Sequence, residues 1–169
     1  MSRPAAADIQ EQLVALLPKL RRFARTLAHS PDDADDLVQL ALERALARLD
    51  QWQPGTRLDS WMYGIIKNAW IDEVRARERR DRVHAPEELG EQVADAGSGA
   101  QIDRLSLEAA IARLPEEQRL VVALVLVEGL SYKEAAAVLD VPIGTVTSRL
   151  ARGREALEAL LGAAAGDAP

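Results

Sequence analysis

Apolar residues recur along this chain at intervals of three and four, the spacing that places them on one face of an α-helix. Between 9 and 28, Leu13, Leu16, Leu17, Leu20, Phe23, Ala24 and Leu27 form such a stripe, with Lys19, Arg21, Arg22 and Arg25 mostly away from it. Pro18 falls inside the pattern and, lacking an N–H, predicts a kink or two shorter helices. A second helix opens at Ser30-Pro31, an N-cap followed by proline at the first helical position, with Asp32 and Asp33 complementing the helix dipole. It runs to Leu49. Ala34, Leu37, Val38, Ala41, Ala45 and Leu49 line its apolar side; Asp35, Asp36, Gln39, Glu43 and Arg44 line the other. That acidic face is either solvated surface or a docking face for a basic partner.

After the turn signal Gln53-Pro54-Gly55, a dense apolar helix carries Leu58, Trp61, Met62, Ile65, Ile66, Ala69, Trp70, Ile71 and Val74. Trp61 and Trp70 sit on its stripe and are expected in the core, whereas Tyr63, Lys67 and Asn68 are candidates for exposed contacts. Residues 83–102 lose helical periodicity, are acidic and contain Gly97-Ser98-Gly99, which reads as a flexible linker between two helical domains. Beyond it, Leu105, Leu107, Ala110, Ile111 and Leu114 predict a helix stopped at Pro115. Leu120, Val121, Leu124, Val125 and Val127 predict the next, ended by Gly129. The last helix extends through residues 150–161 with a frayed tail after Gly162, and Gly153 weakens it by about 1 kcal/mol relative to alanine.

Residues 131–150 hold two short helical patterns joined by a tight turn. Ser131 and Glu134 have the spacing of a capping box, and Ala135, Val138 and Leu139 form a small apolar face. Asp140 occupies the place of a left-handed residue, which aspartate tolerates, and Pro142 stops the first helix. The second starts near Gly144-Thr145 and carries Val146 and Leu150 inward, leaving Thr145, Thr147, Ser148, Arg149 and Arg152 outward. Hydroxyls and arginines on the first turns suit the DNA major groove; an αα-hairpin that packs only on protein is the alternative.

Composition narrows the classes. With 48% hydrophobic but only 4% aromatic residues, the core is aliphatic and the expected fold is all-α: two small helical domains, the C-terminal one with a helix-turn-helix. Cysteine is absent, which excludes disulfides and thiolate metal sites, and neither His29 nor His84 has partners at ligand spacing. No cofactor or metal is expected. The absence of a leader and of any long uncharged apolar run implies a cytoplasmic protein without membrane insertion. A net charge of −6 argues against nucleic acid until its distribution is considered: residues 73–82 hold five arginines against three acids, just after a cluster of aromatics. No phosphate-binding glycine loop and no nucleophile–base pair is evident, so an enzyme is not expected.

Motifs in order along both halves resemble the extracytoplasmic-function class of bacterial sigma factors. They are Asp33-Ala34-Asp35-Asp36-Leu37-Val38-Gln39, Trp61-Met62-Tyr63-Gly64-Ile65-Ile66-Lys67-Asn68 and Ile71-Asp72-Glu73-Val74-Arg75 in the first half. In the second they are Leu114-Pro115-Glu116-Glu117-Gln118-Arg119, Gly129-Leu130-Ser131-Tyr132-Lys133-Glu134-Ala135-Ala136 and Gly144-Thr145-Val146-Thr147-Ser148-Arg149-Leu150. The resemblance implies an alternative sigma factor that binds core RNA polymerase, at its clamp helices and flap, and directs promoter recognition, melting and initiation. It implies a region 2-like domain over 1–82, a linker over 83–102 and a region 4-like domain over 103–169. Asp35, Asp36, Gln39 and Glu43 would contact polymerase. Tyr63, Lys67, Asn68, Asp72, Arg75 and Arg79 would serve the minus-ten element; Thr145, Thr147, Ser148, Arg149 and Arg152 would read the minus-thirty-five element. An anti-sigma factor is implied as a further partner, able to use the apolar surface around 120–130. The chain departs from the family pattern at Leu40-Ala41, at Thr147 where lysine is common, and at Gly153 where alanine is usual. A repressor or activator that binds DNA unaided would explain residues 131–154 but not the first half, and a protein-binding adaptor would make the basic runs plain surface.

Overall fold

The computed structural model describes residues 6–84 and 107–166, and all regular structure among them is helical, as expected. The first half comprises α1 (Ala6–Leu27), α2 (Pro31–Ala47), a 3-10 turn (Leu49–Gln51) and α3 (Leu58–Val83). In the second, α4 (107–112) precedes α5 (Glu116–Val122), which continues into a π-helical turn (Ala123–Val127). Then come α6 (Tyr132–Leu139) and α7 (Ile143–Gly166). Val83 closes α3 and His84 caps it; the remainder of the expected linker, 85–102, lies outside the described residues.

Local chemistry sets most boundaries. Ser30 Oγ accepts from the Asp33 N–H at 3.1 Å with Pro31 in the first turn, so α2 starts where its cap is. α1, by contrast, passes through Pro18 as one helix rather than two. Pro18 and Val14, four residues earlier, both lie on the exposed face, so the carbonyl that proline leaves unpaired is on the solvent side. α7 also differs from expectation, beginning at Ile143 and running to Gly166 instead of fraying after Gly162.

The three helices of the first half pack pairwise around Leu20, Phe23, Leu27, Met62, Tyr63 and Ile66, all buried. Full burial of each such side chain is worth about 1.5–3 kcal/mol. Trp70 joins this core as expected and Trp61 packs against it half-buried, while Trp52, not expected there, is buried too. In the second half α5 and α6 pack on α7, with Val121, Val122, Leu124, Val146 and Leu150 inside and Leu107 exposed. The buried side chains of the two halves form one continuous cluster. Of the apolar surface around 120–130 expected to serve a partner, residues 120–124 and Leu130 are buried, while Leu126 remains exposed at 44%.

Gly153 has a packing reason. A Cβ there would stand 2.9 Å from Val122 Cγ2, so glycine lets α7 approach α5 closely. Valine is stiff at χ1 and cannot easily turn away. Gly153→Leu is expected to destabilise the fold by about 2 kcal/mol, lowering the melting temperature by roughly 4–8 °C in a calorimetric or circular-dichroism melt.

Candidate nucleic-acid interface

The helix-turn-helix is built from caps. Ser131 Oγ accepts from the Glu134 N–H at 3.2 Å while Glu134 Oε2 accepts from the Ser131 N–H at 2.8 Å, the complete capping box. Asp140 takes the left-handed conformation (φ 53°, ψ 50°), and the Val141 N–H bonds back to the Ala136 carbonyl at 3.1 Å, closing α6. The Pro142 carbonyl then receives the Thr145 and Val146 N–H groups at 3.0 and 3.3 Å, which starts α7.

Val146 and Leu150 point inward, as the spacing requires. Thr147, Ser148 and Arg152 are exposed on the outer face, and Thr145 is half-buried. The Thr147 hydroxyl donates to the Ile143 carbonyl and the Ser148 hydroxyl to the Thr145 carbonyl, both at 3.1 Å, leaving their oxygen lone pairs free to accept. Arg149 is not free. Its Nη2 lies 3.2 Å from Glu117 Oε1, and its side chain is only 23% exposed.

On α3, Asn68, Asp72, Arg75 and Arg79 are exposed and, at spacings of four, three and four, share one stripe. Asp72 is tied to α2 by Arg44 at 3.2 Å. Lys67 is half-buried, and burial lowers its ammonium pKa while Asp140 partly offsets the effect. Tyr63 does not join the stripe. It is 1% exposed, packs edge-on to Phe23 at 4.9 Å and donates its hydroxyl to Glu128 at 2.8 Å. The expectation that Tyr63 is an exposed contact is corrected: position 63 faces the second half of the chain, a direction that spacing alone does not reveal. Burial, reinforced by the Glu128 carboxylate, pushes its phenol pKa up, so it remains a donor.

On α2, Asp35, Asp36, Gln39 and Glu43 form an exposed acidic stripe. Two leucines, Leu40 and Leu46, are exposed on the same helix at 37% and 47%. Both fall off the apolar stripe, a signal already visible in the sequence. Among the described residues no cluster of His, Asp and Glu could hold a metal, and no helix is long and apolar enough to cross a membrane.

Comparison with known proteins agrees with this geometry. The family model for Sigma-70 region 2 matches residues 13–80, and that for Sigma-70, region 4 matches 104–157. The ECF RNA polymerase sigma factor EcfG of Rhodopseudomonas palustris (strain TIE-1) is 37% identical over 158 residues, which are 94% of this chain and 87% of that protein. The chain belongs to the extracytoplasmic-function class of RNA polymerase sigma factors. It is a regulatory transcription initiation factor that directs promoter recognition. Among solved structures, the sigma factor RpoE from Bartonella quintana, crystallised with the anti-sigma factor NepR, is similar at TM-score 0.82 and 32% identity, over 92% of this chain and 97% of that one. CnrH in complex with the cytosolic domain of CnrY is similar at TM-score 0.69 and 25% identity, over 91% and 87%.

In this sigma factor the junction between the halves is polar as well as apolar, and the sequence pattern signals none of its charged pairings. Arg22 meets Glu128 through two bonds, Nε to Oε1 at 2.9 Å and Nη2 to Oε2 at 2.8 Å. The Glu128 hydrogen bond and charge raise the Arg22 pKa. Arg57 grips Asp59 at 2.7 and 3.0 Å and also pairs with Glu134 of α6. Arg119 is buried: Nη1 donates to the Leu27 carbonyl at 3.1 Å, Nη2 to those of Leu114, at 3.1 Å, and Ala112. Its guanidinium also lies 5.7 Å from the Trp70 ring centroid.

Two carboxylates report on this packing. Burial alone would raise the Asp59 pKa, but hydrogen bonds from Arg57 and the Ser60 N–H outweigh it and hold the group below its ordinary value. Asp33 follows the same pattern, with Arg77 and Ser30 overcoming burial. A depressed folded pKa stabilises above the unfolded value and is lost as pH falls through the folded one. Stability is therefore expected to be level above about pH 5 and to fall below about pH 4. Thermal melts across that range check it, and Asp59→Asn should flatten the slope.

Proposed function

We propose that the three exposed stripes divide the work of promoter recognition. In this reading residues 1–82 dock on polymerase and open the minus-ten element, residues 103–169 read the minus-thirty-five element, and 83–102 join them. The observation that carries it is the outer face of α7, where Thr147, Ser148 and Arg152 are exposed while Val146 and Leu150 are buried. A helix so divided enters a major groove with hydroxyls and an arginine leading. Thr145 and Arg149 complete the reader, and Glu117 pre-orients Arg149.

The acidic stripe of Asp35, Asp36, Gln39 and Glu43, with Leu40 and Leu46 beside it, suits a basic, partly apolar surface on the clamp helices of core polymerase; the flap would receive the second half. Asn68, Asp72, Arg75 and Arg79 face the minus-ten DNA, with Lys67 added once its surroundings open. Trapping an unstacked base offsets the few kcal/mol that opening a duplex step costs. The protein acts in the cytoplasm, performs no catalysis of its own, and is held in check by an anti-sigma factor, the kind of partner with which the structurally similar Bartonella sigma factor was crystallised.

A chain of net charge −6 should bind promoter DNA negligibly by itself at moderate salt, and a gel shift with and without core polymerase checks this. Arg149→Ala should lose about 1–3 kcal/mol of upstream-element discrimination while polymerase binding in a pull-down is retained. Asp36→Lys should reverse the pattern, with polymerase capture lost.

A further inference from the structure

The hydroxyls on the outer face of α7 are held in one state. Thr147 Oγ1 donates to the Ile143 carbonyl and Ser148 Oγ to the Thr145 carbonyl, each at 3.1 Å, so both protons are committed to the helix. A hydroxyl has one proton and two lone pairs, and each of these exposed groups therefore turns an acceptor outward. The donors on this face are arginines. Arg149 shares its guanidinium with Glu117, whereas Arg152 is exposed. Short side chains reach a groove floor only if the backbone comes close to it. Gly144 and Ala151, four residues before and three after Ser148, lie on the same exposed face and leave that approach open. A Cβ at Gly144 would meet nothing within 4 Å, so the chain's own packing does not account for this glycine.

We propose that Thr147 and Ser148 are specificity-determining residues that select amino bases, adenine or cytosine, on the strand each one faces in the upstream promoter element. In the major groove adenine offers its N6 amino group and cytosine its N4 amino group as donors, while guanine O6 and N7 and thymine O4 only accept. An amino N–H satisfies the lone pair of a hydroxyl whose own proton is already used. A keto oxygen in the same place sets lone pair against lone pair, unless the hydroxyl gives up its helix bond. Arg152, which can only donate, has the opposite preference and suits guanine. At position 147 the choice departs from the family pattern, because the lysine common there would donate rather than accept. This rests on the proposed reading of the minus-thirty-five element by α7.

The test is run-off transcription by core polymerase with the full chain, from promoters that carry each of the four bases at every position of the upstream element. Thr147→Val and Ser148→Ala remove the oxygens and keep the helix, which circular dichroism verifies. Each should level a preference of about fivefold at one position, the worth of one neutral hydrogen bond. At those positions N6-methyladenine or N4-methylcytosine keeps its base pairing but carries a methyl group in place of the major-groove N–H. Either should lower wild-type yield by about fivefold and leave the corresponding variant unaffected. Thr147→Lys should turn its position toward guanine. Wild-type yield indifferent to the methyl groups overturns the proposal. So do variants that leave every base preference in place while Arg152→Ala relaxes one, an outcome that keeps α7 as the reader. If no base of the element and none of these substitutions alters yield, the assignment of α7 to the upstream element falls as well.

Discussion

A carboxylate taken out of water is costly unless its hydrogen-bonding capacity is met, and removing its partner leaves an uncompensated charge worth several kcal/mol. Glu128 meets this condition only through Arg22 and Tyr63, which belong to the other half of the molecule. Arg119 is its counterpart of opposite sign. It is buried with no acidic group hydrogen-bonded to its guanidinium, held by the Leu27, Ala112 and Leu114 carbonyls and by the face of Trp70. Leu27 ends α1, where the helix dipole places partial negative charge, so a cation is favoured there. Glu128 is thus satisfied by the first half, and Arg119 in part, through the Leu27 carbonyl and the Trp70 face. That requirement specifies how the halves sit together more sharply than apolar contact, which is not directional.

The same junction sorts the candidate functional faces into free and covered. The acidic stripe of α2 and the outer face of α7 remain exposed, and so does the Asn68, Asp72, Arg75, Arg79 stripe of α3. Lys67 and Tyr63, on the same helix, are drawn toward the second half. The π-helical turn contributes to this. Its N–H bonds skip five residues, Glu128 to Ala123 at 2.9 Å, and the wider turn ends the helix with Glu128 against α1. Gly129, at φ 73°, then reverses the chain into the helix-turn-helix, a conformation glycine adopts at no steric cost.

The helix caps at Ser30 and Ser131, the left-handed Asp140, the inward Val146 and Leu150 and the apolar stripe of α2 were all legible in the sequence. Each depends on residues within four positions of one another, where spacing determines geometry. The exposed faces of α2 and α7 were legible for the same reason, being the complements of those stripes. Pro18 was misleading because its effect depends on which side of α1 faces water. Tyr63, Arg149 and Gly153 were settled by partners at Glu128, Glu117 and Val122. Those partners are up to 65 residues away, and no periodicity encodes them. The sequence by itself determined the helices, their faces and the family; tertiary structure alone decided which residues on those faces are free, because burial and charge compensation are set by what packs opposite.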